Sequence, residues 1–370
     1  MDIAFHYFAV KSLSLAAGFS EADAQIIAKY SQFVDDYNWY THLWYSNIPN
    51  YVKASELDLF IDDWFYPANF NPASTGFIDY IDYATIAFDR SQKFKVSPFH
   101  FIPRDSAHVK QGDRRTYPCK LNDESYISNM LTAARNDFQA GGNRNLSLMH
   151  IGMLLHTFAD TYSHQLFTGF QGWENKVVLV QVINNITGKD ETEKYKSFIN
   201  DWLEKLKKIV PSLIPAIGHM LIAHIPDLTH LSFTMKYPAA PDDPGSTYSR
   251  SNTRVFIDGA GKEILNYLCS CLNKENVSGQ EWNDISKRLT HSFLIDISQL
   301  TAETEIVKKL KNHWNISFPS YKYAYSSEEI KKEFNPKKEI GTDEFYRYNV
   351  FADQLLIALY GPHPRNNKSK

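Results

Sequence analysis

Cysteine is scarce in this sequence, and its pattern excludes two kinds of protein. The 370 residues contain three cysteines, Cys119, Cys269 and Cys271. An odd number without metal-finger spacing gives neither a disulfide framework nor a cysteine-based zinc site. We therefore expect free thiols and a reducing compartment, with Cys269 and Cys271 packed on one helix.

Cationic charge is not in excess either. Lysine and arginine together number 39 against 42 aspartate and glutamate, which gives a formal net charge of −3. Proteins that bind duplex nucleic acid present a basic surface, so stable binding to a duplex is not expected. This argument leaves open the cleavage of a small or single-stranded phosphodiester.

Long apolar runs are absent as well. No segment reaches the roughly 20 apolar residues that span a bilayer as a helix. The opening stretch, MDIAFHYFAVKSLSLAAGF, lacks the basic start of a signal peptide, and Asp2 and His6 interrupt its apolar run. We expect a cytoplasmic protein, and a signal-independent export route stays open.

The alternation of polar and apolar positions that is typical of strands is rare, so the predicted fold class is mainly α. We expect a single-domain multi-helix bundle in residues 1–320, then a C-terminal extension, 321–370, with a final helix packed on the bundle and a disordered basic tail. Residues 37–101, rich in aromatic side chains, and 235–253 are predicted loops. Helices are predicted at 3–17, 20–36, 123–139, 197–210, 256–273, 279–295, 302–315 and 343–359.

One buried helix carries the pattern with the most chemical content. The stretch from Asn143 to Phe170 is apolar on nearly every side, yet it contains His156, Asp160 and His164 at intervals of four. Such spacing places the three on one stripe about 12 Å long. A single histidine there would usually be a hydrogen-bonded core residue. Two imidazoles around a carboxylate are costly to desolvate unless they bind something, and a divalent metal is the simplest explanation.

Other histidines and carboxylates are candidates to complete such a site. His6 lies on the first predicted helix, Asp35 and Asp36 end the second, and His100 sits in the short apolar run SPFHFIP. Taken alone, each also has an ordinary interpretation, as a core histidine or a solvated helix end.

A further pair is predicted near residue 220. His219 is placed on an apolar helix that Pro226 must end, and Asp227, just past that end, could turn back toward it. His224 and His230 are rivals, but His224 would lie about 140° around the helix from His219. We favour His219 with Asp227.

Histidines and carboxylates without cysteine indicate zinc or a similar divalent ion. The candidates outnumber the ligands of one tetrahedral ion, so two or three clustered Zn²⁺ ions fit the count. Clusters of this kind activate water and hold a phosphoric ester.

The order of these residues on an all-helical chain resembles the zinc-dependent phospholipase C and single-strand-specific nuclease superfamily, and most of all an uncharacterised bacterial family of that type. The resemblance spans roughly residues 1–300, and the His-x-x-x-Asp-x-x-x-His-Gln element is its most specific part. The segments that carry it are Phe5-His6-Tyr7, Ser31 to Asp36, Pro98 to Phe101, Ala159 to Gln165, Ile217-Gly218-His219 and Pro226-Asp227.

The resemblance implies a multinuclear site. One zinc would take Asp35 or Asp36 with His100, His156 and Asp160. A second would take His164, His219 and Asp227. A third would take His6, with Asp160 bridging and either the Met1 amino group or Asp2 beside it, although a two-metal site stays open.

The expected reaction is hydrolysis of a phosphoric ester by a metal-bound hydroxide, of the phospholipase C type. Asp35, Asp36 and Asp160 are the candidate catalytic carboxylates, and whichever of Asp35 and Asp36 is not a ligand could act as a general base. The substrate would be a phospholipid headgroup or a nucleotide-like ester. Candidates for a pocket wall are Trp39, Trp44, Tyr45 and Trp64, although ordinary packing is the simpler interpretation for most of them.

Alternative functions follow from the same residues. A single-strand nuclease or a small phosphodiesterase would use the same cluster, whereas a non-catalytic binding or toxin module would use it only for stability. A phosphohydrolase of the His-Asp type is excluded because the sequence contains no adjacent His-Asp dyad.

Overall fold

A computed structural model of the protein describes residues 1–38, 43–44, 49, 69–70, 75–76, 92–209, 216–237, 245–334 and 342–361. The described chain is mainly helical with a four-stranded sheet and a separate two-stranded one, which confirms the mainly α class. The predicted aromatic wall is not described: Trp39, Tyr45 and Trp64 lie outside these residues, as does the side chain of Trp44. The basic tail, residues 363–370, also lies outside them.

The helices follow the predicted ones closely. A π-helical turn, Ala4–Ala9, runs into α1, and π-helical residues Val255–Gly261 run into α6. The longer helices are α1 (Val10–Ala17), α2 (Glu21–Asp36), α3 (Tyr126–Gln139), α4 (Arg144–Ser163), α5 (Thr192–Ile209), α6 (Lys262–Cys271), α7 (Gly279–Phe293), α8 (Glu303–Ser317), α9 (Ser327–Phe334) and α10 (Asp343–Tyr360).

The sheet corrects the prediction that strands are nearly absent. Strands β3 (Val178–Asn184), β4 (Lys189–Asp190), β5 (Leu231–Lys236) and β6 (Thr247–Ser251) form an antiparallel sheet in the order β4-β3-β5-β6. The predicted loop 235–253 is therefore wrong at both ends, where β5 and β6 pair. A separate pair, β1 (Leu43–Trp44) with β2 (Asn69–Phe70), lies in the aromatic-rich region.

Helices α2 and α4 form the centre of the main core. Gly152 lets them approach, because a Cβ atom at that position would lie 2.4 Å from the carbonyl oxygen of Ile27. Any larger residue would push the two helices apart. This close packing brings the end of α2, with Asp35, beside His156 on α4.

The C-terminal helix α10 belongs to the same core as the helices before it. Its residues Phe345, Tyr348 and Leu355 are fully buried, and Tyr348 packs against Phe33 of α2 with ring centroids 5.6 Å apart. The three cysteines are free and buried, Cys269 and Cys271 on α6, as expected. None of the described helices is long and apolar enough to cross a membrane.

A second, smaller core lies between the sheet and α5. Leu179 and Val182 of β3 pack there with Tyr195 and Ile199 of α5. Residues 216–230 form turns and a short 3-10 helix, Met220–Ile222, so the predicted apolar helix around His219 is wrong.

Candidate metal centre

All nine predicted ligands lie at one place where the main core meets the second one. His6 comes from the first π-helical turn, Asp35 and Asp36 from the last two positions of α2, and His156 and Asp160 from α4. The others come from irregular chain. His100 follows the short helix Ser97–Phe99, His164 directly follows α4, and His219 and Asp227 lie in the turns before β5.

Asp160 is the centre of this arrangement. Its side chain is 1% exposed. Its Oδ1 lies 3.1 Å from Nε2 of His6, and its Oδ2 lies 3.2 Å from both Nδ1 of His100 and Nε2 of His156. Nδ1 of His164 is 3.5 Å from the same Oδ2. One carboxylate therefore contacts four imidazoles.

Two of these imidazoles face each other, and the far nitrogen of each ring is bound to a backbone carbonyl oxygen. His156 donates from Nδ1 to the carbonyl oxygen of Ser31 at 2.8 Å, and His100 donates from Nε2 to that of Thr75 at 2.7 Å. In a neutral imidazole the other nitrogen is then a lone pair. Those two nitrogens, Nε2 of His156 and Nδ1 of His100, are 3.3 Å apart. Opposed lone pairs repel unless a cation lies beside them.

The second pair of histidines is held in the same way. His164 donates from Nδ1 to the carbonyl oxygen of His100 at 2.5 Å, and His219 donates from Nδ1 to that of Ala223 at 2.6 Å. Their Nε2 atoms lie 3.0 Å and 3.2 Å from the two oxygens of Asp227. A backbone carbonyl that fixes the far nitrogen is the usual outer contact of a metal-binding histidine.

Burial disfavours the charged form of three of these imidazoles. Loss of hydration lowers the pKa of His156 to about 4 and that of His219 to about 3, and it holds the pKa of His6 well below its ordinary value. Burial, together with the charge of Asp160, raises the pKa of Asp35 well above its ordinary value. Neutral imidazoles are the form that binds metal.

The structure distinguishes the two carboxylates at the end of α2. Oδ1 of Asp35 lies 3.7 Å from the same two facing histidine nitrogens. Asp36 is turned elsewhere, and its Oδ2 accepts hydrogen bonds from the Tyr325 hydroxyl at 2.5 Å and from the Gln32 amide at 3.2 Å. Burial raises the pKa of Asp36 to about 6, although these two hydrogen bonds oppose the shift.

The Met1 amino group lies inside the cluster. It donates to Asp160 and is 3.4 Å from Oδ1 of Asp227. Burial disfavours its charge, but the carboxylates outweigh burial and raise its pKa to about 10. Asp2 instead accepts a hydrogen bond from the Ala4 amide at 3.0 Å, at the start of the π-helical turn.

Three groups of side chains could each hold one ion, since their ligand atoms lie within 4.8 Å of one another. The groups are His6, His156 and Asp160; Asp35, His100 and His156; and His164, His219 and Asp227. Asp36 is in none of these groups. Of the rivals, His224 is 3.8 Å from Asp227 but largely exposed, and His230 faces Asp296.

A cavity of about 510 Å³ opens onto the cluster. Its polar end includes Asp35, Asp36 and Asp227, and most of its remaining wall is apolar. Apolar wall residues are contributed by α5, by the turns that follow residue 216 and by residues near 300: Tyr195, Phe198, Trp202, Ile217, Met220, Ala223, Ile225, Leu228, Ile297, Leu300 and Ile306. No local pattern in the sequence marks this wall, because its residues come from three separated segments.

Tyr325 and Arg250 were also missed. Both act on the cluster through hydrogen bonds from chain that is distant in sequence, and no local pattern marks them.

Comparison with known proteins adds a family but no function. No curated protein and no solved structure matches the chain. A family model, that of DUF6765, a family of unknown function, matches residues 1–355, almost the whole chain. The chain belongs to this family.

Proposed function

We propose that the protein is a zinc-dependent hydrolase of phosphoric esters. The observation that carries the proposal is the pair of facing nitrogens on His100 and His156, 3.3 Å apart and both 3.2 Å from Asp160, on rings whose other nitrogens are bound to backbone carbonyl oxygens. A buried cation beside them and beside Asp160 removes the repulsion. The all-histidine and carboxylate donor set suits zinc better than calcium or magnesium, which prefer oxygen ligands.

The three ligand groups give a proposal for each ion. Asp35, His100 and His156 would hold one ion, with Asp160 beside them, and His164, His219 and Asp227 would hold a second. His6 and Asp160 would hold a third, and the Met1 amino group is near enough to join them. The resemblance to the phospholipase C and nuclease superfamily implies the same distribution.

When bound, the ions would lower the pKa of water and polarise the phosphoryl oxygens. The protein supplies the remaining functions. Asp36 is the proposed general base, since it lines the cavity and the hydrogen bonds from Tyr325 and Gln32 both go to Oδ2 rather than Oδ1. Tyr325 and Gln32 fix the orientation of this carboxylate. A base with a pKa of about 6 is ionised at neutral pH and can still return its proton.

The cavity favours a substrate with an apolar group. Its wall beside the cluster is formed by Phe198, Trp202 and Met220 among others. Among the described residues that line it, Lys194 is the only lysine or arginine, and it pairs with Glu191 at 2.9 Å. A polyanionic strand would require more free cationic groups. We therefore place a lipid-like phosphodiester ahead of a nucleic acid.

The first test measures zinc per chain by elemental analysis and hydrolysis of bis-p-nitrophenyl phosphate on the same samples. Wild type is compared with Asp160→Asn and with Asp137→Asn, an exposed residue on α3 that serves as the matched control. We expect two or three zinc ions and hydrolysis in wild type and Asp137→Asn, and the loss of both in Asp160→Asn.

Other outcomes separate the alternatives. Zinc without hydrolysis of any ester would favour the non-catalytic binding module, and no zinc in the wild type would overturn the proposal. With activity established, a diester that carries an apolar chain should be cleaved faster than a dinucleotide. The opposite order would favour the nuclease alternative.

A further inference from the structure

The Arg250 side chain is buried at the edge of the second core, against the rings of Phe233 and Phe256. It points inward from β6, opposite Phe233 of β5, and it is 8% exposed. No carboxylate among the described residues lies within ion-pair distance of it, while its guanidinium lies 5.0 Å from the centroid of the Phe233 ring. A buried charge of this kind is unfavourable unless its hydrogen bonds are satisfied.

Arg250 directs its hydrogen bonds at two segments of the metal centre. Nη1 donates to the carbonyl oxygen of Tyr162 at 2.7 Å, and Nη2 donates to those of Ser163 at 2.7 Å and Pro226 at 2.8 Å. Tyr162 and Ser163 are the last residues of α4, where carbonyl groups lack helical partners. His164 follows Ser163 directly.

The third acceptor is the carbonyl oxygen of Pro226, the residue directly before Asp227. One rigid, planar group therefore connects the residue before His164 with the residue before Asp227. The side chains of those two candidate ligands meet at 3.0 Å, Nε2 to Oδ1. A fixed fork of donors sets this separation in a way that a flexible ammonium group does not.

The neighbours of Arg250 hold the same turn. Its Nε donates to Asn252 at 2.8 Å, and the Asn252 amide donates to the carbonyl oxygens of Ile225 at 2.8 Å and Leu228 at 2.9 Å. The end of β6 thus acts as a template for the turn that presents Asp227.

We propose that Arg250 is the positioning residue of the His164–His219–Asp227 group, which makes that zinc site depend on the register of β6. This inference rests on the proposed function, because it concerns zinc affinity. Outer contacts of metal ligands typically change metal affinity about 10- to 100-fold when they are altered. Arg250→Lys keeps the charge and loses the planar set of donors. We expect it to lower the affinity for one zinc ion by that factor and to leave the affinity for the others unchanged.

The test is a zinc titration against a competing chelator. Arg250→Lys is combined with Asp227→Asn in one double variant and with His100→Ala in another. If Arg250 acts through Asp227, the substitution adds nothing to the loss caused by Asp227→Asn and adds in full to the loss caused by His100→Ala. Equal additivity in both backgrounds would overturn the proposal.

Leu179→Ala is the control for general destabilisation, because it removes a buried side chain of β3 in the same core. It should lower the melting temperature and leave every zinc affinity unchanged. Loss of the same ion in Leu179→Ala would reduce Arg250 to a structural role and overturn the proposal.

Two outcomes remain to be distinguished. If Arg250→Lys yields no folded protein, Asn252→Ala replaces it. Asn252→Ala should lower the affinity for one zinc ion only, and unchanged affinity for every ion would overturn the proposal. A wild-type protein without zinc overturns the proposed function and this inference together, whereas normal zinc binding in Arg250→Lys overturns this inference alone.

Discussion

If the proposed zinc ions are bound, their removal from the wild-type protein should destabilise it by an amount that follows from the site. Three ligand groups lie in the core. An ion present at 100 times its dissociation constant stabilises the folded state by about 2.7 kcal/mol, so three ions, each at that excess over its stepwise dissociation constant, contribute about 8 kcal/mol together. With an unfolding entropy of about 2.1 cal/mol/K per residue, a chain of 370 residues gains roughly 10 °C in Tm.

The expected loss of stability without zinc has a structural cause. Without a cation, the carboxylates of Asp35 and Asp160 lie beside the same two histidine nitrogens, and the charge of Asp160 helps to raise the pKa of Asp35. The proposed zinc ions, bound to neutral imidazoles, would offset the repulsion between these two carboxylates.

The assay is scanning calorimetry of the chelated protein, before and after zinc is restored at that excess. Calcium at the same concentration is the control, and it should restore little because it prefers an all-oxygen site. A Tm that is the same in chelator and in zinc would refute the reasoning. So would equal recovery with calcium.

Three further predictions test separate parts of the description. A peptide fused before Met1 should reduce zinc per chain, because the buried amine becomes a bulky amide, whereas the same peptide at the C-terminus should have no effect. His150 is buried against Phe351 with its pKa lowered to about 4, so it stays neutral in the folded state and stability is lost as pH falls from about 6.5 to 4. Over that range the free energy of unfolding of metal-free His150→Phe, measured in urea, should fall by about 3 kcal/mol less than that of metal-free wild type. Tyr325→Phe removes a hydrogen bond that lowers the pKa of Asp36, so the acid limb of the pH–rate profile should move to higher pH with zinc content unchanged; an unmoved limb would argue against Asp36 as the base.

Local signals were sufficient to predict the helices that carry the site. The Ser20 side chain accepts from the Asp23 amide at the start of α2, and Gly18 ends α1 with a φ of 100°. The period of α4 placed His156 and Asp160 on one face within one turn. These features depend on neighbours in sequence, so a sequence can show them.

The turns around His219 could not be predicted in that way. Gly218 has a φ of 52°, and a Cβ atom there would collide with the Phe101 ring. Ala223 also has a positive φ, 48°, and neither conformation continues a helix. The expected helix was therefore wrong. The pairing of His219 with Asp227 agrees with the structure because it depended on ligand chemistry as well as on an angle.

Ligand identity and ligand geometry have different origins in this protein. The identity of each candidate is a histidine or an aspartate that a sequence displays directly. The geometry is set by carbonyl oxygens of Ser31, Thr75, His100 and Ala223, which fix the imidazole rings, and a carbonyl group carries no sequence signature because every residue has one. The choice between Asp35 and Asp36 likewise depends on Tyr325, far along the chain. A sequence can therefore predict which residues are candidates for such a centre, whereas the tertiary fold decides which nitrogens and which carboxylates face one another.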